Sequence, residues 1–509
     1  MVKSYVAAIA LLAVLSLPAT AQDAKTILSD ASKAMGADNL TSVMFYGSGA
    51  NFNLGQSNNA NGPWPRINLN DYTRAIEFTQ PASRATWVTY AAPVTGGPAV
   101  QANGNQTITP ANNAWAQHLE IWLTPWGFLK GARTNTNNGT VRAQTIGGKR
   151  YNVVTWMTPQ KSPSGQAYKV VGYINGLNLV EKVETWLENP IFGDMLVEAI
   201  YSDYRDNNGF KFPGTIVQKR GGWPTFEAQL LGAIANPRNI QQLLQAPAPQ
   251  RGGGAPAGAP AIAAPAALSE KLADGVYRIT GGYVALAVEF KDHIVLFEGG
   301  PQNEARSMAI MAEAKRVIPN KPIRYSILSH HHFDHSSGLP AVVAEGATII
   351  IHENEKAFLE KALSAPRTLA PDAMSKSGKK PKFETLADKR VLQDETRTVE
   401  IHHIRGLPHA DGMLIAYLPK EKILAMADMF NLPPANDPVP NPQVVGTLVF
   451  VDNLERLKLD YDKIVSVHAP NPDRPITRLD VMKSLGRGNW CSVTERRWLR
   501  PQVCRGSET

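Results

Sequence analysis

The sequence predicts an α+β chain in two parts: a mainly antiparallel β domain over 22–244 and an α/β layered domain over 269–475. Three observations lead there. With 509 residues the chain is longer than the ~300 at which a single core stops growing. The stretch QAPAPQRGGGAPAGAPAIAAPAAL (245–268) is almost wholly Ala, Pro, Gly and Gln, has nothing to bury, and reads as an extended linker. Before it, strand-like runs follow one another; after it, strand-like and helix-like runs alternate.

The N-terminus reads as an export signal spanning 1–21. Lys3 gives the positive start, VAAIALLAVLSL (6–17) the apolar core, and Ala19-Thr20-Ala21 the small-x-small cleavage site. The expected location is therefore periplasmic or secreted, with Gln22 as the first mature residue and no transmembrane anchor after cleavage. Only two cysteines are present, Cys491 and Cys504, and an oxidising compartment would let them close a short loop worth ~3 kcal/mol. They lie in a basic C-terminal tail, 476–509, where Arg487, Arg496, Arg497, Arg500 and Arg505 supply much of the net charge of +8. A solvated basic face explains such a tail, and no nucleic-acid partner is expected.

In the first domain AKTILSDASKAMG (24–36) has helical spacing. TSVMFYGSGANFNL (41–54), RAIEFT (74–79), RATWVTYA (84–91), RYNVVTWM (150–157) and EKVETWLE (181–188) have strand composition. The stretch 204–230 reads as successive antiparallel strands turning at Asn207-Asn208-Gly209. Its single histidine, His118, has no partner in sequence and reads as a structural residue.

In the second domain YVALAVEF (283–290) and HIVLFEGG (293–300) read as paired strands. A helix opened by Asn303 covers 303–318, the strand PIRYSILS covers 322–329, and the helix LPAVVAEG (339–346) precedes the strand ATIIIHE (347–353).

The strand 322–329 runs straight into SHHHFDHSSG, which holds four of the chain's 11 histidines. Histidine crowds in this way as a metal ligand, a proton carrier or a pH switch. In an extended segment residues i and i+2 share a face, so His330 and His332 can hold one cation; Asp334 continues that line, and His335 points elsewhere once the chain turns. One loop thus feeds two metal positions with nitrogen and oxygen donors and no sulfur, a set suited to zinc, iron or manganese. Further His and Asp residues stand where later apolar runs meet loops: His409 in RGLPHADG, Asp428 closing KILAMADMF, His468 closing KIVSVHAP. His331, His352, His402, His403 and His293 are read as non-ligands.

His330-x-His332-x-Asp334-His335, followed by His409, Asp428 and His468, resembles the ligand series of the metallo-β-lactamase superfamily over about 270–470. The resemblance implies an αβ/βα sandwich with two divalent metal ions, zinc first with iron or manganese as alternatives. It implies that His330, His332 and His409 hold one ion, that Asp334, His335 and His468 hold the other, and that Asp428 bridges them. Glu298 stands where the family usually has an aspartate behind the ligands, and Ala427 where glycine is common.

The implied activity is hydrolysis of a small-molecule ester, lactone, thioester or amide by a metal-bound hydroxide, with Asp334 orienting it. A bridging Asp428 resembles the glyoxalase-II and lactonase branches more than the true β-lactamases, which stay as an alternative. An iron-dependent sulfur dioxygenase-like oxidoreductase is a second alternative. The helix leading into a curved sheet resembles the periplasmic lipoprotein-carrier folds, which implies an apolar ligand or a protein partner at the N-terminal domain and a third alternative, an accessory binding role. Substrate contacts are expected on 364–385 and 431–447.

Overall fold

A computed structural model describes residues 24–91, 100–111, 114–135, 140–245, 266–433, 439 and 443–487. The stretch read as an export signal, most of the stretch read as a linker, and both cysteines lie outside these residues.

Eleven strands form the N-terminal sheet: β1 (Ser42–Phe52), β2 (Arg66–Glu77), β3 (Ala82–Ala91), β4 (Val100–Ile108), β5 (Thr140–Ile146), β6 (Lys149–Lys161), β7 (Ala167–Asn175), β8 (Val180–Asn189), β9 (Gly193–Asn207), β10 (Phe210–Arg220) and β11 (Trp223–Ala235). All neighbours are antiparallel, and β1 pairs with β11 as well as β2. The turn read from Asn207-Asn208-Gly209 joins β9 to β10, with positive φ at Asn208 (55°) and Gly209 (84°), the combination a two-residue hairpin turn needs. Helices Ala24–Ala34 and Pro125–Thr134 put Ile27, Leu28, Trp126 and Phe128 into one core with the sheet. A cavity of about 480 Å³ in this domain is lined by Tyr72, Trp87 and Phe226 but also by Arg74, Glu120 and Gln218, so its lining is mixed rather than apolar.

The C-terminal domain has two sheets. One contains β12 (Leu268–Ala273), β13 (Val276–Thr280), β14 (Ala285–Glu289), β15 (Ile294–Phe297), β16 (Ile323–Ile327), β17 (Thr348–His352) and β18 (Lys382–Leu386) in that order. The other contains β19 (Lys389–Gln393), β20 (Thr398–His403), β21 (Leu414–Leu418), β22 (Ile423–Met426), β23 (Lys463–Ser466) and β24 (Ile476–Thr477). β15 to β18 run parallel, as do β22 and β23. Three cores give the layer order: Val288, Phe297, Ile401 and Ala425 pack between the sheets; Ile310, Val342 and Leu359 join helices to the first sheet; Phe450, Leu454 and Val481 join helices to the second. This is the expected αβ/βα sandwich.

Two boundaries need correction. The tail expected from 476 begins as β24 and the helix Arg478–Ser484, whose capping box (Thr477 with Asp480) and buried Val481 belong to the domain. Leu268, assigned to the linker, is already strand. A third difference is larger. The second domain's core takes in Ala60 and Ile191 of the N-terminal domain, so the two parts share packed surface rather than only a linker.

Candidate metal centre

The donors foreseen in the sequence gather at one edge of the sandwich, most of them shortly past a strand end, with His409 midway along the loop between β20 and β21. β16 leads into 330–335, β22 into Asp428, β23 into His468, and β15 into Glu298. The strand ends are cross-tied: Glu298 N donates to Ile327 O (2.9 Å), Leu414 N to Ser329 O (2.7 Å), and Val467 N to Met426 O (3.0 Å). Glu298 and Asp428 both adopt left-handed φ, 60° and 52°. For non-glycine residues that is a costly conformation, which persists where surrounding bonds over-determine it.

Among the described residues, three groups of donor atoms lie close enough to share a cation: His330, His332 and His409; His330, His335 and Asp428; and Asp334, His335 and His468. His330 Nε2 faces His409 Nε2 at 3.2 Å, and His335 Nε2 faces His468 Nε2 at 3.3 Å. Asp428 lies among them, its Oδ2 2.7 Å from His335 Nε2 and 3.4 Å from His330 Nε2, its Oδ1 2.7 Å from His468 Nε2. Paired ring nitrogens turned towards each other around a carboxylate fit a cation better than they fit each other. His332 Nδ1 is buried without a hydrogen-bond partner among the described residues, as a lone pair reserved for a metal would be.

The far nitrogens are held. His330 Nδ1 lies 2.9 Å from Ser329 Oγ, and His335 Nδ1 3.0 Å from Glu298 Oε2. Glu298, with its longer side chain, therefore reaches the ligand loop, and its other oxygen accepts from Ser329 N at 2.6 Å. Burial pushes His330 well below the ordinary imidazole range and His332 down to about 3, so both stay neutral donors. Burial works against ionisation of Asp334 and Asp428 too, but the surrounding histidines outweigh it and hold both carboxyls below the usual range.

The remaining histidines face elsewhere. His331 packs towards Glu355, whose Oε1 accepts from the His331 backbone N–H at 2.9 Å. His352 stacks near His403 (4.0 Å between ring centres), His402 pairs with Glu400, and His293 with Asp292.

Sequence reasoning missed two contributions. Tyr283 donates its hydroxyl to Asp334 Oδ2 at 2.9 Å and lies edge-on to His468. From the other domain, the β1–β2 connection 53–65 reaches the ligands through Gln56 and Ser57. Its only signal in sequence is its length, well beyond the ~2–5 residues of a hairpin loop. The stretch 364–385 is not irregular throughout: it holds the helix Ala373–Ser377 and the start of β18, and Arg367 to Leu369 bind Pro190, Ile191 and Asp194 of the N-terminal domain. In 431–447, residues 434–438 and 440–442 lie outside the described set.

Comparison with known families matches residues 280–468 to the metallo-beta-lactamase superfamily. Among solved structures, a metallo-beta-lactamase from Pontibacter korlensis is 19% identical, covering 43% of this chain and 98% of that one (TM-score 0.31). One from Hirschia baltica is 18% identical, covering 44% and 97% (TM-score 0.32). Rubredoxin oxygen:oxidoreductase from Desulfovibrio gigas is 17% identical, covering 43% and 61% (TM-score 0.33). No curated protein matches.

Proposed function

We propose that this chain, whose C-terminal domain has the metallo-β-lactamase fold, is an exported metal-dependent hydrolase acting on a small ester, lactone, thioester or amide. The observation that carries the reading is the meeting of two donor triads around the single carboxylate of Asp428. Bound divalent ions, zinc first, would supply Lewis acidity and bring the pKa of water towards ~7.

The chain's own residues supply orientation. His330 and His335 are fully buried, whereas the side chains of Asp334, His409 and His468 are 34%, 34% and 31% exposed. Substrate therefore approaches over these three. Asp334, kept ionised, accepts a hydrogen bond from the attacking water and orients it. Tyr283, whose pKa is raised by burial and by Asp334, stays a neutral hydrogen-bond donor beside it.

The test is acid release by zinc-loaded protein 22–509 presented with lactones, thioesters, β-lactams and esters. Asp334→Asn should lower kcat by about a hundredfold or more, because it removes the charged group that orients the attacking water. Full activity in that variant, or no acid release from any compound, would reject the reading.

A further inference from the structure

The N-terminal domain does more than stand beside the metal centre. Its β1–β2 connection enters between the two loops that carry the first donor triad. Gly55 O accepts from Phe333 N (3.3 Å), within the 330–335 loop. Asn58 Nδ2 donates to Leu407 O (3.1 Å) and Pro408 O (2.9 Å), beside His409, and Asn58 O accepts from Asp411 N (2.8 Å). The connection thus clamps both ligand loops at once.

Between these anchors, two groups touch ligands directly. Ser57 O lies 2.9 Å from His332 Nε2. A carbonyl only accepts, so Nε2 carries the ring proton of the neutral imidazole and Nδ1 is left as the lone-pair nitrogen. That is the same Nδ1 found buried and unpartnered. Gln56 Nε2 donates to Asp334 Oδ1 at 3.0 Å. Oδ2, which also accepts from the Tyr283 hydroxyl, is the oxygen turned to the second triad, 3.4 Å from His335 Nε2 and 3.8 Å from His468 Nε2.

We infer that the 53–65 connection is a positioning part of the metal centre: Ser57 O sets the nitrogen His332 offers to the first ion, and Gln56 sets the oxygen Asp334 offers to the second. This rests on the reading of the donor cluster as a two-metal site, and is independent of which substrate is hydrolysed. Carbonyl and carboxamide partners of this kind orient ligands, and removing one typically weakens metal binding about ten- to a hundredfold. Here the partners come from a different domain, so the C-terminal domain by itself would have an incompletely oriented ligand set.

The test uses full-length mature protein and metal alone. Zinc affinity is read by chelator competition for each equivalent, and cobalt loading is followed by its visible absorption. Gln56→Leu should weaken the second equivalent about ten- to a hundredfold and leave the first unchanged. Gly55→Ala should weaken both. Gly55 has φ +78°, and a Cβ there would sit 2.3 Å from Phe333 Cγ, so the connection must shift and take Ser57 O with it. Asn61→Ala is the control; Asn61 lies on the same connection, and its side chain donates to Asn354 O, away from the ligands. Melting temperature checks that each variant is folded, and Gln56→Leu, a partly buried side chain making one bond, carries the test if Gly55→Ala does not fold. Equal affinities in Gln56→Leu and Asn61→Ala would overturn the inference while leaving the metal centre standing. A wild-type chain that takes up no zinc would overturn both.

Discussion

Burial alone would push the His335 imidazole to its neutral form, but Glu298, Asp334 and Asp428 outweigh it and raise its pKa well above the ordinary value. In the metal-free protein His335 is therefore protonated at neutral pH, while His330 and His332 are not. A metal needs the Nε2 lone pair of His335, so loading must expel that proton. Zinc uptake at pH 7 in weak buffer should release about one proton with the equivalent that engages His335, and affinity should rise with pH until the folded His335 has titrated. The sign for stability follows. A raised pKa stabilises the metal-free fold fully below the unfolded imidazole value of ~6.5, and that contribution is lost as pH climbs through the folded value. Glu298→Gln removes the leading counter-charge and should reduce both the proton release and the pH dependence, measured with an indicator dye during titration. Unchanged release in that variant would show that Glu298 does not hold the proton. The donor cluster was legible because its members are chemically distinctive side chains, most of them shortly past a strand end. Tyr283 was not, since one tyrosine at the start of an apolar run looks like core.

At the scale of elements, the helix Glu304–Val317 was legible from Asn303, whose side chain caps it by accepting from Arg306 N. Its second task was not. Arg306 is wholly buried and donates to Thr280 O (3.0 Å) and Tyr283 O (2.6 Å from Nη2, 3.1 Å from Nε), fastening the β13–β14 turn on which Tyr283 sits. Helical spacing predicts which residues face inward, but not that an inward arginine will find carbonyls more than twenty residues earlier. Arg306→Met keeps the bulk and removes these bonds, leaving two carbonyls short of donors. It should cost about 3 kcal/mol in denaturant titration. It should also loosen Tyr283 from Asp334, seen as faster amide exchange across 280–284. A loss under about 0.5 kcal/mol would mean that water replaces the guanidinium without penalty. The connection 53–65 was illegible for a related reason: it has no hydrophobic period, and its bond to His332 joins residues 275 apart.

For the whole molecule, composition places a division at 245–268 but says little of the relation between the halves. An Ala/Pro/Gly linker suggests two bodies that move independently. The packing joins them instead. Phe192 of the first domain meets Phe333 (5.5 Å) and Phe358 (5.9 Å) of the second edge-on, and Ile191 is fully buried in the second domain's core. Arg367 completes the joint from the other side. Its guanidinium donates to Pro190 O and Ile191 O, both at 2.9 Å, and pairs with Asp372 at 2.8 Å. Asp194 answers by accepting from the backbone of Thr368 and Leu369. Ala60 and Ile191 belong to the second domain's core, so parting the halves opens that core, and unfolding of the two should be coupled. Residues 22–509 should therefore melt in one calorimetric transition. Arg367→Ala leaves Pro190 O and Ile191 O without their donors across the joint, a loss of about 2–3 kcal/mol of coupling. In that variant the trace should split in two, with zinc raising only the transition of the metal-bearing domain. A single transition that keeps its midpoint would show that the aromatic contacts hold the halves together without Arg367, and two transitions in the wild type would show that the joint does not couple them at all.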